Sequence, residues 1–301
     1  MLQPELDPYN EKYQKDSIQI VTELLDIASK NTSIKTKSGT ESINLYLAPE
    51  TSFPGPGSIS ERGLDNSLTI NMINNFLQLH PKSVFMGGVS THYVYENESE
   101  KNDKSKTASF HPLSQVWYDE YNSAIQIIPN QKPEIYHKGK LVPGVEIFPY
   151  ISFFKPLLGD VMLNLGGTTR SLGIDNERVS FSNPYNNAKI APVICYESIY
   201  GEFTTEYIKK GANVLTIVTN DSWWGYSQGH KQLLVLAKLR AIETRREIAR
   251  SANSGTSAHI NSRGDIVDEL PYGSQGALTA KVNLIKGETF YVKSGDLISR
   301  I

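Results

Sequence analysis

Apolar positions Ile18, Val21, Leu24, Leu25 and Ile27 recur at helical spacing and predict a helix over about Pro8 to Lys30. The run Ile43 to Ala48 (INLYLA), ended by Pro49, reads as a buried strand, and Pro54 to Gly57 as a loop. Asp65 to Leu79 has a helical pattern, and Ser83 to Val89 (SVFMGGV) reads as a second buried strand. Tyr95 to Thr107 is charged and rich in Ser and Asn, which predicts an exposed loop or hairpin tip. Tyr121 to Ile128 and Glu134 to His137 read as consecutive strands, and Leu141 to Leu165 is apolar but broken by Pro and Gly. Further on come a strand at Ile190 to Ile194, a helix over Ile199 to Lys210 and a strand at Asn213 to Val218. The pattern then predicts a long helix from Gln232 to Arg250, with closing strands near Thr256 to Asn261 and Ala277 to Val282.

Mixed strands and helices with both hairpin and crossover connections predict a layered α/β protein with helices outside the sheets. No internal repeat or low-complexity linker divides residues 1–301, so a single domain is expected. The composition, 39% hydrophobic and 21% charged, is that of a globular chain with ample core. With 30 basic and 32 acidic residues there is no basic footprint for nucleic acid. A single cysteine, Cys195, excludes an internal disulfide. The longest uncharged stretch, Asn66 to Pro81, is polar, and the opening residues carry no apolar h-region. The expectation is therefore a soluble chain without a membrane span or signal peptide.

Three residues stand at the carboxyl ends of predicted strands, where open α/β sheets place their sites. Cys195 closes Pro192 to Ile194 just before a predicted helix, whose N-terminus would lower the thiol pKa and expose the sulfur. Its plain alternative is a small buried hydrophobe. Glu50 follows the first strand beside prolines, where burial would raise its pKa toward that of a general base. A solvated loop glutamate is the plain alternative. Lys138 follows Glu134 to His137 and would stabilise an oxyanion, with Lys140 competing for the role and a surface lysine as the plain reading.

Taken together and in this order, Glu50, Lys138 and Cys195 resemble the Glu-Lys-Cys triad of the nitrilase superfamily. The flanks agree: Pro49 before the first, Tyr136 two before the second, Tyr196 and Glu197 after the third. The segment Thr219 to Gly225 (TNDSWWG) is similar to that superfamily's loop after the next strand. Within the superfamily the chain looks most like the apolipoprotein N-acyltransferase family. Leu2 to Pro4 with Asp7 to Tyr9 is similar to that family's domain start, as are Leu141 to Pro143 with Glu146, His230 to Glu243, and Arg250 to Gly255. Where the family usually reads Val-Pro-Phe-Gly-Glu, residues 142–146 read Val-Pro-Gly-Val-Glu, a departure in the backbone around Glu146.

The resemblance implies a four-layer α-β-β-α sandwich, and a catalytic domain lacking the membrane helices of the full-length family. It also implies a bacterial inner-membrane setting, with the domain facing the periplasm. It implies covalent catalysis without cofactor or metal. Glu50 takes the Cys195 proton, and the thiolate attacks a phospholipid ester. Lys138 and the Tyr196 N–H stabilise the oxyanion, and the thioester passes to the N-terminal amine of a diacylglyceryl-cysteine lipoprotein. Glu146 would be a second carboxylate beside Lys138, with Tyr196 and Glu197 in support. Phe148, Phe153 and Phe154 would form a mobile apolar lid at the membrane surface or a buried core segment. Trp223 and Trp224 would line an acyl pocket or serve as core.

Competing chemistries lack their signatures. The six histidines have no metal-ligand spacing, no G-x-S-x-G occurs, and the glycines form no phosphate loop. Two alternatives stay open: a carbon–nitrogen hydrolase (an amidase) in which water resolves the thioester, and a catalytically dead scaffold domain.

Overall fold

The computed structural model describes residues 1–7, 14–147, 171–297 and 300. Nine strands and four helices position the site. The strands are β1 (Leu45–Leu47), β2 (Val84–Tyr95), β3 (Val116–Ile127), β4 (Glu134–His137), β5 (Lys189–Ile194), β6 (Val214–Thr219), β7 (Ile248–Ala252), β8 (Ser257–Ile260) and β9 (Ile266–Leu270). The helices are α1 (Ser17–Ser29), α2 (Leu68–Leu79), α3 (Gly201–Lys209) and α4 (Gly229–Thr244).

In the first sheet β1 runs parallel to β2, β2 pairs antiparallel with β3, and β3 pairs with both β4 and Ser109–His111. In the second, β5, β6 and β7 run parallel and β8 and β9 return antiparallel. Strand alternation assigns the two faces of the first sheet. Leu47, Met86, Ala124 and Tyr136 join the core shared with the second sheet, whereas Tyr46, Ala48, Phe85, Ile125 and Ile127 pack against α1 and α2. Phe203, Tyr207, Ala237 and Ala241 of α3 and α4 cover the far side of the second sheet. The result is the four-layer α-β-β-α sandwich.

Local chemistry sets several boundaries. The first helix starts at Ser17 because Asp16 caps it: Asp16 Oδ1 accepts the Gln19 N–H at 2.8 Å and Gln19 Oε1 accepts the Asp16 N–H at 3.1 Å. Residues 8–13, at the start of the helix expected from Pro8, lie outside the described residues. The expected hairpin around Tyr95 to Thr107 is longer than its apolar run suggested, pairing Phe85 with Ile127 through to Tyr95 with Trp117. A short helix, Glu98–Asn102, sits at its tip.

Two expectations need correction. The helix expected over Gln232 to Arg250 ends at Thr244, where Arg245 adopts a left-handed conformation (φ 50°), and Ile248–Ala252 is strand β7. The helix expected over Ile199 to Lys210 is α3, Gly201–Lys209, entered through a 3₁₀ turn at Cys195–Ile199. Of Ala277 to Val282 only Ala277 is strand, in the pair Gly276–Ala277 with Leu2–Gln3. Strand β9, which is mostly exposed, was not expected.

Candidate active site

Glu50 and Lys138 come from the first sheet and Cys195 from the second. Glu50 lies just beyond β1, held against Gly88 of β2. A Cβ on Gly88 would stand 2.4 Å from the Glu50 Cα, so only glycine lets this backbone approach. The buried carboxylate then meets three donors. Oε1 accepts from Lys138 Nζ at 2.7 Å and from Asn122 Nδ2 at 2.8 Å, and Oε2 accepts the Asn220 N–H at 3.0 Å.

Lys138 is 1% exposed and lies beyond β4, its N–H donating to the Asn122 carbonyl at 2.8 Å. Its ammonium also donates to Glu146 Oε1 at 2.9 Å. Lys140, the competitor, is exposed, with its ammonium over the Tyr200 ring at 5.4 Å. The turn at residues 142–147 brings Glu146 back to the site: the Glu146 N–H donates to the Val142 carbonyl at 2.9 Å and Glu146 Oε2 accepts the Val142 N–H at 2.8 Å. Gly144 takes the positive φ of 82° that this turn needs.

Cys195 leaves β5 at φ 42°, a left-handed conformation rarely adopted by residues with a Cβ. The sharp strand-to-helix turn presents the half-buried sulfur to Glu50, Lys138 and Thr219, each of which acts on the thiol. Its hydrogen bonds hold the turn. The Cys195 carbonyl accepts from Ser198 Oγ at 2.7 Å. The fully buried Glu197 accepts four: Tyr136 Oη at 2.6 Å and the Gly139 N–H at 2.7 Å on Oε1, the Ile194 N–H at 2.8 Å and Tyr207 Oη at 3.0 Å on Oε2. Glu197 therefore joins the Cys195 turn to the residue after Lys138. Tyr196 turns its ring edge-on to Tyr200 at 5.6 Å.

The electrostatics reverse two expectations. Burial pushes the Cys195 thiol up, the Glu50 carboxylate adds to this, and Lys138 only partly opposes, so the resting thiol sits well above its ordinary range. The helical end expected to lower it is a five-residue 3₁₀ turn. Burial also pushes Glu50 up, but the Lys138 charge and the Lys138 and Asn122 hydrogen bonds outweigh it and hold the carboxyl below its usual range. Burial disfavours the Lys138 ammonium, yet the Glu50, Glu146 and Cys195 charges raise its pKa well above the ordinary lysine value. The arrangement is a protonated thiol facing an ionised base, with an ammonium between two carboxylates. It suits proton removal at sulfur and stabilisation of a developing oxyanion.

Trp223 and Trp224 follow β6 on the 3₁₀ turn Asp221–Trp224 and are 42% and 50% exposed, so neither is core. Phe148, Phe153 and Phe154 lie outside the described residues. Sequence reading missed Asn122, whose amide donates to Glu50 and to Glu146 Oε1 (2.7 Å), and the buried Asp221–Arg250 pair. An asparagine inside a strand gives no signal until its strand neighbours are known. Arg240 and Glu243 form an i,i+3 pair at 2.9 Å, with Arg240 buried. Among the described residues no group of three or more His, Cys, Asp or Glu side chains is placed to hold a metal ion.

Known proteins resemble this arrangement in sequence and in fold. Apolipoprotein N-acyltransferase of Chlorobaculum tepidum is 35% identical over 61% of this chain and 35% of its own length. Apolipoprotein N-acyltransferase 1 of Treponema denticola is 30% identical over 89% of this chain and 48% of its own. The chain thus spans about a third to a half of the length of these curated relatives. In fold it is similar to an amidase from Nesterenkonia sp. (TM-score 0.59, 12% identity, 99% of this chain and 93% of that one). Nit3 of Saccharomyces cerevisiae, from branch 10 of the nitrilase superfamily, is similar too (TM-score 0.58, 15% identity, 91% and 86%). The family profile described as carbon-nitrogen hydrolase matches residues 107–289, more than half of the chain, and the chain belongs to that family.

Proposed function

We propose that this chain is the catalytic part of an N-acyltransferase that moves a fatty acyl group from a phospholipid, through a thioester on Cys195, to the N-terminal amine of a diacylglyceryl-cysteine lipoprotein. The observation that carries the reading is the buried Glu50–Lys138 contact at 2.7 Å facing the only thiol in the chain. The similarity to N-acyltransferases selects this chemistry within the family.

In the proposed cycle Glu50 accepts the thiol proton as sulfur bonds to the ester carbonyl carbon. Lys138 Nζ and the Tyr196 N–H receive the oxyanion. Collapse expels the lysophospholipid alkoxide, which takes the proton from Glu50, and leaves the thioester. The lipoprotein amine then attacks that carbonyl and gives a proton to Glu50. An amide forms and the thiol is restored. Glu146 and Asn122 hold the ammonium and the base in place, and Glu197 holds the cysteine turn. Trp223, Trp224 and the segment with Phe148, Phe153 and Phe154 meet the acyl chains at the membrane surface. The domain works on the periplasmic side of a bacterial inner membrane. Among the described residues no helix is long and apolar enough to cross a membrane.

Incubation with a phospholipid carrying a fluorescent acyl chain should leave a hydroxylamine-labile label on Cys195. Cys195→Ala should abolish it, and Glu50→Gln should slow its formation by at least about 100-fold. Hydrolysis of small amides without any lipid-derived label would favour the amidase, and a thiol inert to both would favour the scaffold.

A further inference from the structure

Behind the cysteine lies a buried ion pair that this cycle does not use. Ile194 of β5 stands opposite Val218 of β6, so Cys195 and Thr219 leave the sheet side by side. Thr219 Oγ1 donates to Asp221 Oδ1 at 2.7 Å, and Asp221 Oδ2 accepts from Arg250 Nη2 of β7 at 2.7 Å. Both ionic side chains are buried. The packing allows no retreat, because a Cβ on Gly255 would stand 2.3 Å from Asp221 Oδ2. Arg250 Nη1 is fixed by the Thr256 carbonyl at 2.5 Å. A buried pair of this kind adds little net stability, since desolvation offsets its attraction.

We propose that Asp221 and Arg250 are positioning residues for Cys195: Asp221 holds the Thr219 hydroxyl beside the sulfur, and Arg250 cancels the Asp221 charge so that the thiol can give up its proton. The inference rests on the reading of Cys195 as the nucleophile. Every charged element packed around the thiol enters the balance. The first sheet contributes Glu50 and Lys138, with Glu146 behind the ammonium. The second contributes Asp221 and Arg250; His230 of α4 feels both charges from outside, and Tyr272 feels that of Asp221. Glu197, on the cysteine's own turn, faces away onto Tyr136 and Tyr207. Without Arg250 the thiol would face the carboxylates of Glu50 and Asp221 against the single ammonium of Lys138. Asp221 already disfavours the thiolate, and the one proton of the Thr219 hydroxyl is committed to Asp221.

Because Cys195 is the only cysteine, the rate of iodoacetamide alkylation of the full chain against pH, followed by mass spectrometry, reads this one sulfur. Arg250→Met should slow alkylation about ten-fold at fixed pH and move the profile upward. Asp221→Asn, which keeps an oxygen for Thr219, should speed it about ten-fold and move the profile downward. The double variant, with no unpaired buried charge, should return near the parent. A merely structural role would move both single variants the same way, and that result, or two unmoved profiles, overturns the proposal. If circular dichroism shows Arg250→Met unfolded, Arg250→Lys should match the parent while Asp221→Asn stays faster. An Asp221→Asn rate at or below the parent then overturns it. A parent inert at every pH would remove the nucleophile and this inference together. A reactive parent with unshifted variants removes the inference alone.

Discussion

Glu50 is the base of the proposed cycle, and it also carries a stability signature. Its carboxyl is held below the usual range, against the pull of burial, by Lys138 and Asn122. A group whose folded pKa is depressed contributes stability that is present above its unfolded value, near 4.3, and is lost as pH falls through its folded value. Urea midpoints measured between neutrality and acid should therefore fall on acidification, and Glu50→Gln should flatten that fall. Glu197 works in the opposite sense. Burial raises its pKa despite four hydrogen bonds, so it favours the folded state at low pH and loses that contribution as pH rises through its folded value. The acid limb of the parent is thus a difference between two buried carboxylates, and the Glu50 variant isolates one of them. Neither direction was legible from residue type. Glu50 was expected to be raised by burial alone, and only the partners brought by β3 and β4 reverse the sign.

Secondary-structure elements were legible where a single period dominates. Buried strands β1, β5 and β6 announced themselves as short apolar runs, and the Asp16–Gln19 box fixes the start of α1. The error at α4 has a local cause. Ile248 and Ala249 continue the apolar spacing of the helix, while the stop comes from Arg245, a residue with ordinary helix propensity that gives no warning of a left-handed conformation. Glycine is the usual occupant of such a cap. Arg245→Gly should remove the strain at little cost, because among the described residues the arginine side chain makes a long 3.4 Å contact to the Ser262 carbonyl. The expected gain is about 1 kcal/mol in a denaturant titration, with the fold unchanged. Strand β9 was missed for the converse reason: its IVDEL sequence is mostly exposed and carries only a weak alternation.

At the scale of the molecule, the order of Glu50, Lys138 and Cys195 was legible through the resemblance, but their partners were not. Thr219, Asp221 and Arg250 lie in segments that the resemblance singled out, but their pairing shows only when β6 and β7 are set side by side, and Asn122 joins the site only through its place on β3. Glu197 shows what that stacking adds. Its carboxylate takes the Ile194 amide from the second sheet on one oxygen and the Gly139 amide from the first on the other. It works as a rivet through the seam, so the halves of the sandwich cannot separate there without leaving backbone amides and a buried carboxyl group unpaired. The amides of Gly139 and Ile194, 55 positions apart in the chain, should exchange with deuterium in step, at the rate of global unfolding. Sulfur and ammonium then keep their separation, because the turn that carries one and the segment that carries the other are tied to a single carboxylate.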